Sequence, residues 1–133
     1  MAITPKSGRQ FLKVAVLEVS AANLAGLSGQ PQLAIKLPPN SIITGGALVV
    51  TAPFNSATSD SLVVGDAAVS NRYLGSTSIA AAGRTALAPT GFVTGADGSV
   101  RVTWTGVGAA PSSGSFRLEV HYIGKGIADF THG

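Results

Sequence analysis

Ser99-Val100-Arg101-Val102-Thr103-Trp104-Thr105 and Ser115-Phe116-Arg117-Leu118-Glu119-Val120-His121-Tyr122-Ile123 are the two stretches whose reading decides the fold. In the first, Val100, Val102 and Trp104 alternate with Arg101, Thr103 and Thr105. In the second, Phe116, Leu118, Val120 and Tyr122 alternate with Arg117, Glu119 and His121. A period of two is the signature of a strand with one apolar and one wet face. The segment between them, Gly106 to Ser113, is rich in glycine and serine, so the two strands are expected to close a hairpin. A symmetric loop would then set Val102 opposite Leu118 and Arg101 opposite Glu119. Such a cross-strand charge pair is worth at most about 1 kcal/mol.

Upstream, the same grammar recurs with more punctuation. Arg9 to Val19 carries apolar residues on both faces: Leu12, Val14 and Val16 on one, Phe11, Ala15, Leu17 and Val19 on the other. That pattern predicts a strand covered on two sides. Residues 20 to 30 read as a loop with at most a short helical turn, since Gly26 and Gly29 oppose a long one. Gln32 to Leu37 alternates, with Leu33, Ile35 and Leu37 expected inward and Ala34 and Lys36 outward, and Pro38-Pro39-Asn40 ends it. Ile42 to Thr51 forms the next strand, with a bulge or bend expected at Gly45-Gly46. Pro53 to Asp60 reads as a loop with an exposed aromatic, Phe54. Leu62-Val63-Val64 is a short strand, and Ala68 to Leu74 another. Residues 75 to 99 show the least regular pattern, with Ala80-Ala81-Ala82 as a possible helix seed.

Seven or eight short antiparallel strands and no long helix make the chain all-β, a jelly-roll-like β-sandwich. The 133 residues suit a single domain, with residues 1–8 as an extended N-terminal arm. No secretory leader is legible at Met1 to Lys6, and no apolar run is long enough to span a bilayer.

Composition narrows the function. Charged residues are 11% of the chain, against about 25% in ordinary soluble domains. Hydrophobic residues reach 45%, and there are 17 glycines and 7 prolines. So few charges leave a lone monomer at risk of exposing apolar patches, a risk removed if other subunits cover part of its surface. The nine basic residues are scattered singly and the net charge is +3, so no nucleic-acid stripe is present. With no cysteine, disulfides and thiolate metal sites are excluded.

The chemistry-bearing residues are sparse. The two imidazoles are His121, on the wet face of a strand, and His132, next to the C-terminal residue. The six acids are Glu18, Asp60, Asp66, Asp97, Glu119 and Asp129, three of them beside turn residues where aspartate caps the backbone. Asp60 and Asp66 lack the spacing of a calcium loop. Gly106-Val107-Gly108 is followed by Ala109-Ala110-Pro111 and not by a helix start, which excludes a phosphate loop. No catalytic residue, metal site, cofactor or small-molecule substrate is therefore expected. Trp104, Phe116 and Tyr122 have core phase. Phe54, Phe92 and Phe130 lie outside the strands, and aromatic residues are enriched at interface centres.

Several stretches together resemble the cement, decoration or head-stabilisation proteins of tailed bacteriophages. They are Leu37-Pro38-Pro39-Asn40-Ser41-Ile42-Ile43-Thr44-Gly45-Gly46, Pro53-Phe54-Asn55-Ser56, Leu62-Val63-Val64-Gly65-Asp66, Arg72-Tyr73-Leu74 and the terminal strand ending Tyr122-Ile123. The resemblance covers roughly residues 30 to 130 and rests on strand and turn residues. It implies a jelly-roll subunit on the outer surface of the virion capsid, assembled in the bacterial host cytoplasm. Its implied partners are the major capsid protein and itself, as dimer or trimer, with no nucleic acid and no membrane. It carries no catalytic residues across. Ile3, Pro5, Lys6, Arg9, Phe11, Phe54, Phe92 and Phe130 are the candidate interface residues, and residues 1 to 11 the expected contact arm. The alternatives are a receptor- or glycan-binding module of a tail fibre or spike using Phe54-Asn55 and Asp60, a tube or connector protein, and an enzyme.

Overall fold

In the computed structural model, residues 11–108 and 110–124 are described. They form eight strands and one helical turn: β1 (Lys13–Ser20), α1 (Ala21–Leu24), β2 (Gln32–Lys36), β3 (Ser41–Ala52), β4 (Ser59–Gly65), β5 (Leu74–Ser78), β6 (Gly83–Ala86), β7 (Ser99–Val107) and β8 (Ser115–Gly124). Two four-stranded sheets result, ordered β1-β8-β3-β6 and β2-β7-β4-β5, and every pairing is antiparallel. β1 pairs with β8, β2 with β7, β3 with β6 and β4 with β5. This nesting of first with last, inward to a central turn, is a jelly-roll-like sandwich. The expectation of an all-β sandwich is met.

The expected hairpin is not. β7 and β8 are the inner strands of different sheets: β7 lies between β2 and β4, and β8 between β1 and β3. Val102 is paired with Gln32 and Val64, and Leu118 with Leu17 and Leu48. Arg101 lies beside Leu33 and Gly65, far in register from Glu119, which instead accepts a hydrogen bond from Arg117 Nε at 2.6 Å along its own strand. The physical reason is burial. Paired side by side, both apolar rows would need a further layer. Placed in opposite sheets, Val100, Val102 and Trp104 share one core with Phe116, Leu118 and Val120, each at most 4% exposed. Burial of one such side chain is worth about 1.5–3 kcal/mol, more than a surface charge pair offers. The connecting loop is pinned from outside: Asn55 Oδ1 accepts the backbone N–H of Ser112 and Ser113, at 2.8 and 3.1 Å.

Other local readings shift for identifiable causes. Leu33, expected inward, is 52% exposed, and Ala34 packs against the core instead. An extra residue between Leu33 and Ile35 breaks the register with β7, and a one-residue slip exchanges the faces of a strand. Ala68 to Leu74 is not a strand. The Asp66 carboxylate accepts the N–H groups of Ala68 and Val69, at 3.0 and 2.7 Å, and pairs with Arg72, so the segment folds as a loop and β5 begins only at Leu74. Residues 75 to 99 hold two strands, and Ala80 to Ala82 join them without helix. β6 exists because β3 offers it an edge, from Ala47↔Ala86 to Val50↔Gly83. The irregularity expected at Gly45-Gly46 lies one step earlier: the β3–β8 register shifts between Ile43 and Gly45, with Thr44 as the extra residue, while Gly45 and Gly46 pair in turn with His121 and Val120.

Tyr73 is 1% exposed, and its hydroxyl has no hydrogen-bond partner among the described residues. Burial, with the Asp66 carboxylate adding to it and Arg72 opposing, pushes its phenol from 10.0 up to about 12. Between those values the unfolded chain sheds a proton that the folded chain keeps, so this group's contribution to stability is whole below pH 10.0 and declines as pH rises towards 12. Ultraviolet titration of the phenolate band is expected to show Tyr73 ionising only near its raised value, accompanied by alkaline unfolding. Ionisation of Tyr73 near 10.0 in folded protein would contradict this.

Candidate interaction surface

The sites expected from sequence separate into three groups. Ile3, Pro5, Lys6, Arg9 and Phe130 lie outside the described residues, as do the arm over residues 1–8 and His132. Phe54 is corrected: far from being an exposed loop aromatic, it is 2% exposed and its ring lies tilted against Phe116, centroids 6.1 Å apart. Its ring also covers Gly114, where a Cβ would come within 2.6 Å of it. Phe92 is half-buried, with the Arg72 guanidinium 3.6 Å above its ring, a stacking that ties the loop before β7 to the β4–β5 loop. Phe11 alone of the described candidates is open, at 53%.

Asp60 turns out to be a core residue. Its side chain, 2% exposed, accepts the Trp104 indole N–H at 2.9 Å, the Ser56 N–H at 2.8 Å and the Ser56 hydroxyl at 2.6 Å. It fastens the β3–β4 loop to the middle of β7. Asp97 accepts the N–H of Ser99, and Asp66 serves its own loop, so the two turn readings hold. Asp60 and Asp66 do not meet around a common point, and among the described residues no three of His, Cys, Asp and Glu gather as a metal site would require. A shallow depression between Glu18, Asn23, Thr51 and Ser115 has one carboxylate and no imidazole on its walls.

What stands out is the outer side of β1. Ala15 and Val19 turn to the core, while Leu12, Val14 and Val16 point away from it at 58%, 53% and 56% exposure. Across β8, Val14 adjoins His121, Val16 adjoins Glu119 and Glu18 adjoins Arg117, so the apolar row borders a polar one. Leu33 on β2, the neighbouring edge of the other sheet, is equally open. The expectation that both faces of this strand are covered is corrected. Its two-sided apolar pattern is the signal the sequence offers for the surface, but the described chain supplies a cover for only one face.

No family model matches this chain, and no curated protein matches it. Solved structures do. A chain of the cyanophage Pam1 capsid asymmetric unit superposes with a TM-score of 0.69 at 22% identity, over 93% of this chain and 92% of that one. The capsid of Ralstonia phage GP4 holds a chain matching at TM-score 0.60 and 16% identity, over 96% and 92%. The acidic stable capsid structure of Helicobacter pylori bacteriophage KHP30 gives 0.59 and 14%, over 86% and 92%. At such identities the shared property is the fold. The coverage in both directions makes the matched chains close in length to this one. The resemblance drawn from the sequence is borne out at that level: three phage capsids contain a chain built as this one is.

Proposed function

We propose that this chain is a decoration, or cement, subunit that binds the outside of an icosahedral phage head and holds neighbouring major capsid proteins together, without catalysis. The observation that carries the reading is the end-to-end match of its sandwich to chains of nearly equal length in three phage capsids. The row Leu12, Val14 and Val16 supports it physically, because apolar area left open on one strand is stabilising only once something covers it. A subunit with several modest contacts to a shell gains from multivalency, since each bound contact raises the effective concentration of the next. Residues 1 to 11 are the remaining contact element of this reading, as an arm able to add a strand to a neighbour's sheet.

The glycan-binding alternative loses its residues. Phe54 is inside, Asp60 is engaged by Trp104 and Ser56, and Asn55 is engaged by the loop before β8.

The test uses expanded heads of the encoding phage prepared without this chain. Purified protein is expected to co-sediment with them in saturable fashion, to appear as density on the outer surface, and to raise the temperature at which the heads rupture. Deleting Met1 to Gly8 is expected to lower occupancy. Absence of binding to such heads at high concentration, or density inside the shell or on the tail, refutes the proposal.

A further inference from the structure

On the sheet β2-β7-β4-β5 and its loops, every described carboxylate is engaged. Asp60 accepts from Trp104 and Ser56, Asp66 from Ala68, Val69 and Arg72, and Asp97 from the N–H and hydroxyl of Ser99. Two cations of the same sheet are not: among the described residues, Lys36 and Arg101 make no ion pair. Register puts both on the outer face. On β7, Val100 and Val102 turn to the core, so Ser99 and Arg101 turn away from it. Arg101 stands between Leu33 and Gly65, and Lys36 stands beside Ser99. The extra residue in β2 between Leu33 and Ile35 is what brings Leu33 and Lys36, three positions apart, to one face.

Arg101 is also held in place. It is half-buried, and its Nε is enclosed without a hydrogen-bond partner among the described residues. The β4–β5 loop closes one side: the backbone of Val69 and Ser70 lies on Gly65, where a Cβ would collide with both. The Val69 carbonyl is already occupied, accepting the N–H of Asp66 and of Arg72. A buried donor left unpaired is costly, and each such group calls for a water, an ion or a ligand. A guanidinium with its inner nitrogen enclosed also has little freedom left to lose on binding.

We propose that Arg101 and Lys36 form a carboxylate-binding site, whose occupant is an aspartate or glutamate on a partner protein, with Leu33 covering the apolar residue beside it. The planar guanidinium fork fits a carboxylate by paired, charge-assisted hydrogen bonds. Leu33, 52% exposed, suits the neighbour of an acidic side chain better than bulk solvent. Asp97, joined to this face through Ser99, disfavours a second negative charge, so a phosphate dianion is the poorer ligand. The site deepens the decoration reading, on which it rests only for the identity of the partner: it gives a shell contact its chemistry.

Nuclear magnetic resonance of the full chain follows the Arg101 Nε–H signal, identified by its loss in R101K. At constant ionic strength, an acetylated and amidated Glu-Leu-Glu peptide is expected to shift it saturably. The Gln-Leu-Gln peptide and inorganic phosphate are expected to bind at least about fivefold more weakly. R101K, which removes the fork, and K36Q are each expected to weaken the acidic peptide at least about threefold, read from the backbone signals of Leu33 and Ser99. R84Q, on β6 of the other sheet, is expected to leave it unchanged. No shift up to about 50 mM peptide, an equal response to Gln-Leu-Gln, phosphate binding as tightly, or indifference to both R101K and K36Q would each overturn the site. On expanded heads, K36Q and R101K are expected to lower occupancy at least about tenfold, and unchanged occupancy would overturn the assignment of the partner. Heads that fail to bind the unmodified protein sink the decoration reading instead, while the peptide titration still decides the site.

Discussion

Asp60→Ala is expected to destabilise the protein by about 3 kcal/mol or more, lowering Tm by about 10 °C for a domain of this size. The carboxylate is buried and takes three donors: Trp104 Nε1, the Ser56 N–H and the Ser56 hydroxyl. Removing it leaves the indole N–H without its acceptor inside the core, and a buried donor left unpaired costs about 1–3 kcal/mol. It also frees the loop after β3, because Ser56 loses its fastening to β4. Asp60→Asn keeps the shape but replaces one acceptor with a donor among groups that already donate, so an intermediate loss is expected. Trp104 is the single tryptophan, so its fluorescence reports the change at the site itself. Thermal unfolding followed by that signal, with a double-mutant cycle against Trp104→Phe, apportions the pair. A loss within about 0.5 kcal/mol for Asp60→Ala would show that the network is not what holds the loop.

The second large effect is expected at Gly46, and its control is the adjacent glycine. Gly46 has φ +138°, a region closed to side-chain-bearing residues, and a Cβ there would collide with the carbonyl of Glu119 on β8. The chain can answer only by separating β3 from β8 or by undoing the bulge, which would send Ala47, Leu48 and Val50 to the wrong faces. Gly46→Ala is therefore expected to lose about 3–5 kcal/mol, combining backbone strain with overpacking. At Gly45 an added Cβ meets nothing within 4 Å and the backbone is not in the restricted region, so Gly45→Ala is expected to change stability by less than about 1 kcal/mol. Urea unfolding of the two variants side by side makes the comparison. Equal losses would mean that the bulge is a consequence of composition, with no steric need for glycine at the second position.

These two sites differ in how far sequence reaches. The glycine pair is readable as the sign of an adjoining bulge because glycine inside an apolar strand weakens pairing and marks an irregularity or a close backbone approach. Asp60 is readable only as a turn residue, since nothing in Asp60-Ser61-Leu62 announces an indole 44 residues away in sequence. The same limit governs the interaction surface. The apolar residues of β1 are visible in the sequence, but whether each face finds a cover depends on which strands the rest of the chain has left to place over it.

Alternation is a local property. Residue order alone therefore dictates that Val100, Val102 and Trp104 turn one way, that Phe116, Leu118 and Val120 turn one way, and that the molecule is a sandwich of short strands. Residue order also dictates the scarcity of charge and the want of clustered acids and imidazoles. Which strand lies beside which is a matter of the assembled core. A hairpin and a cross-sheet arrangement demand the same alternation of β7 and β8, and the choice between them is made by shared burial, a property of the whole interior. By the same reasoning Leu33 is turned outward by an extra residue in its strand, and β6 is created by the free edge of β3. Among the described residues, Leu12, Val14 and Val16 remain uncovered because all eight strands are already spent on a single core.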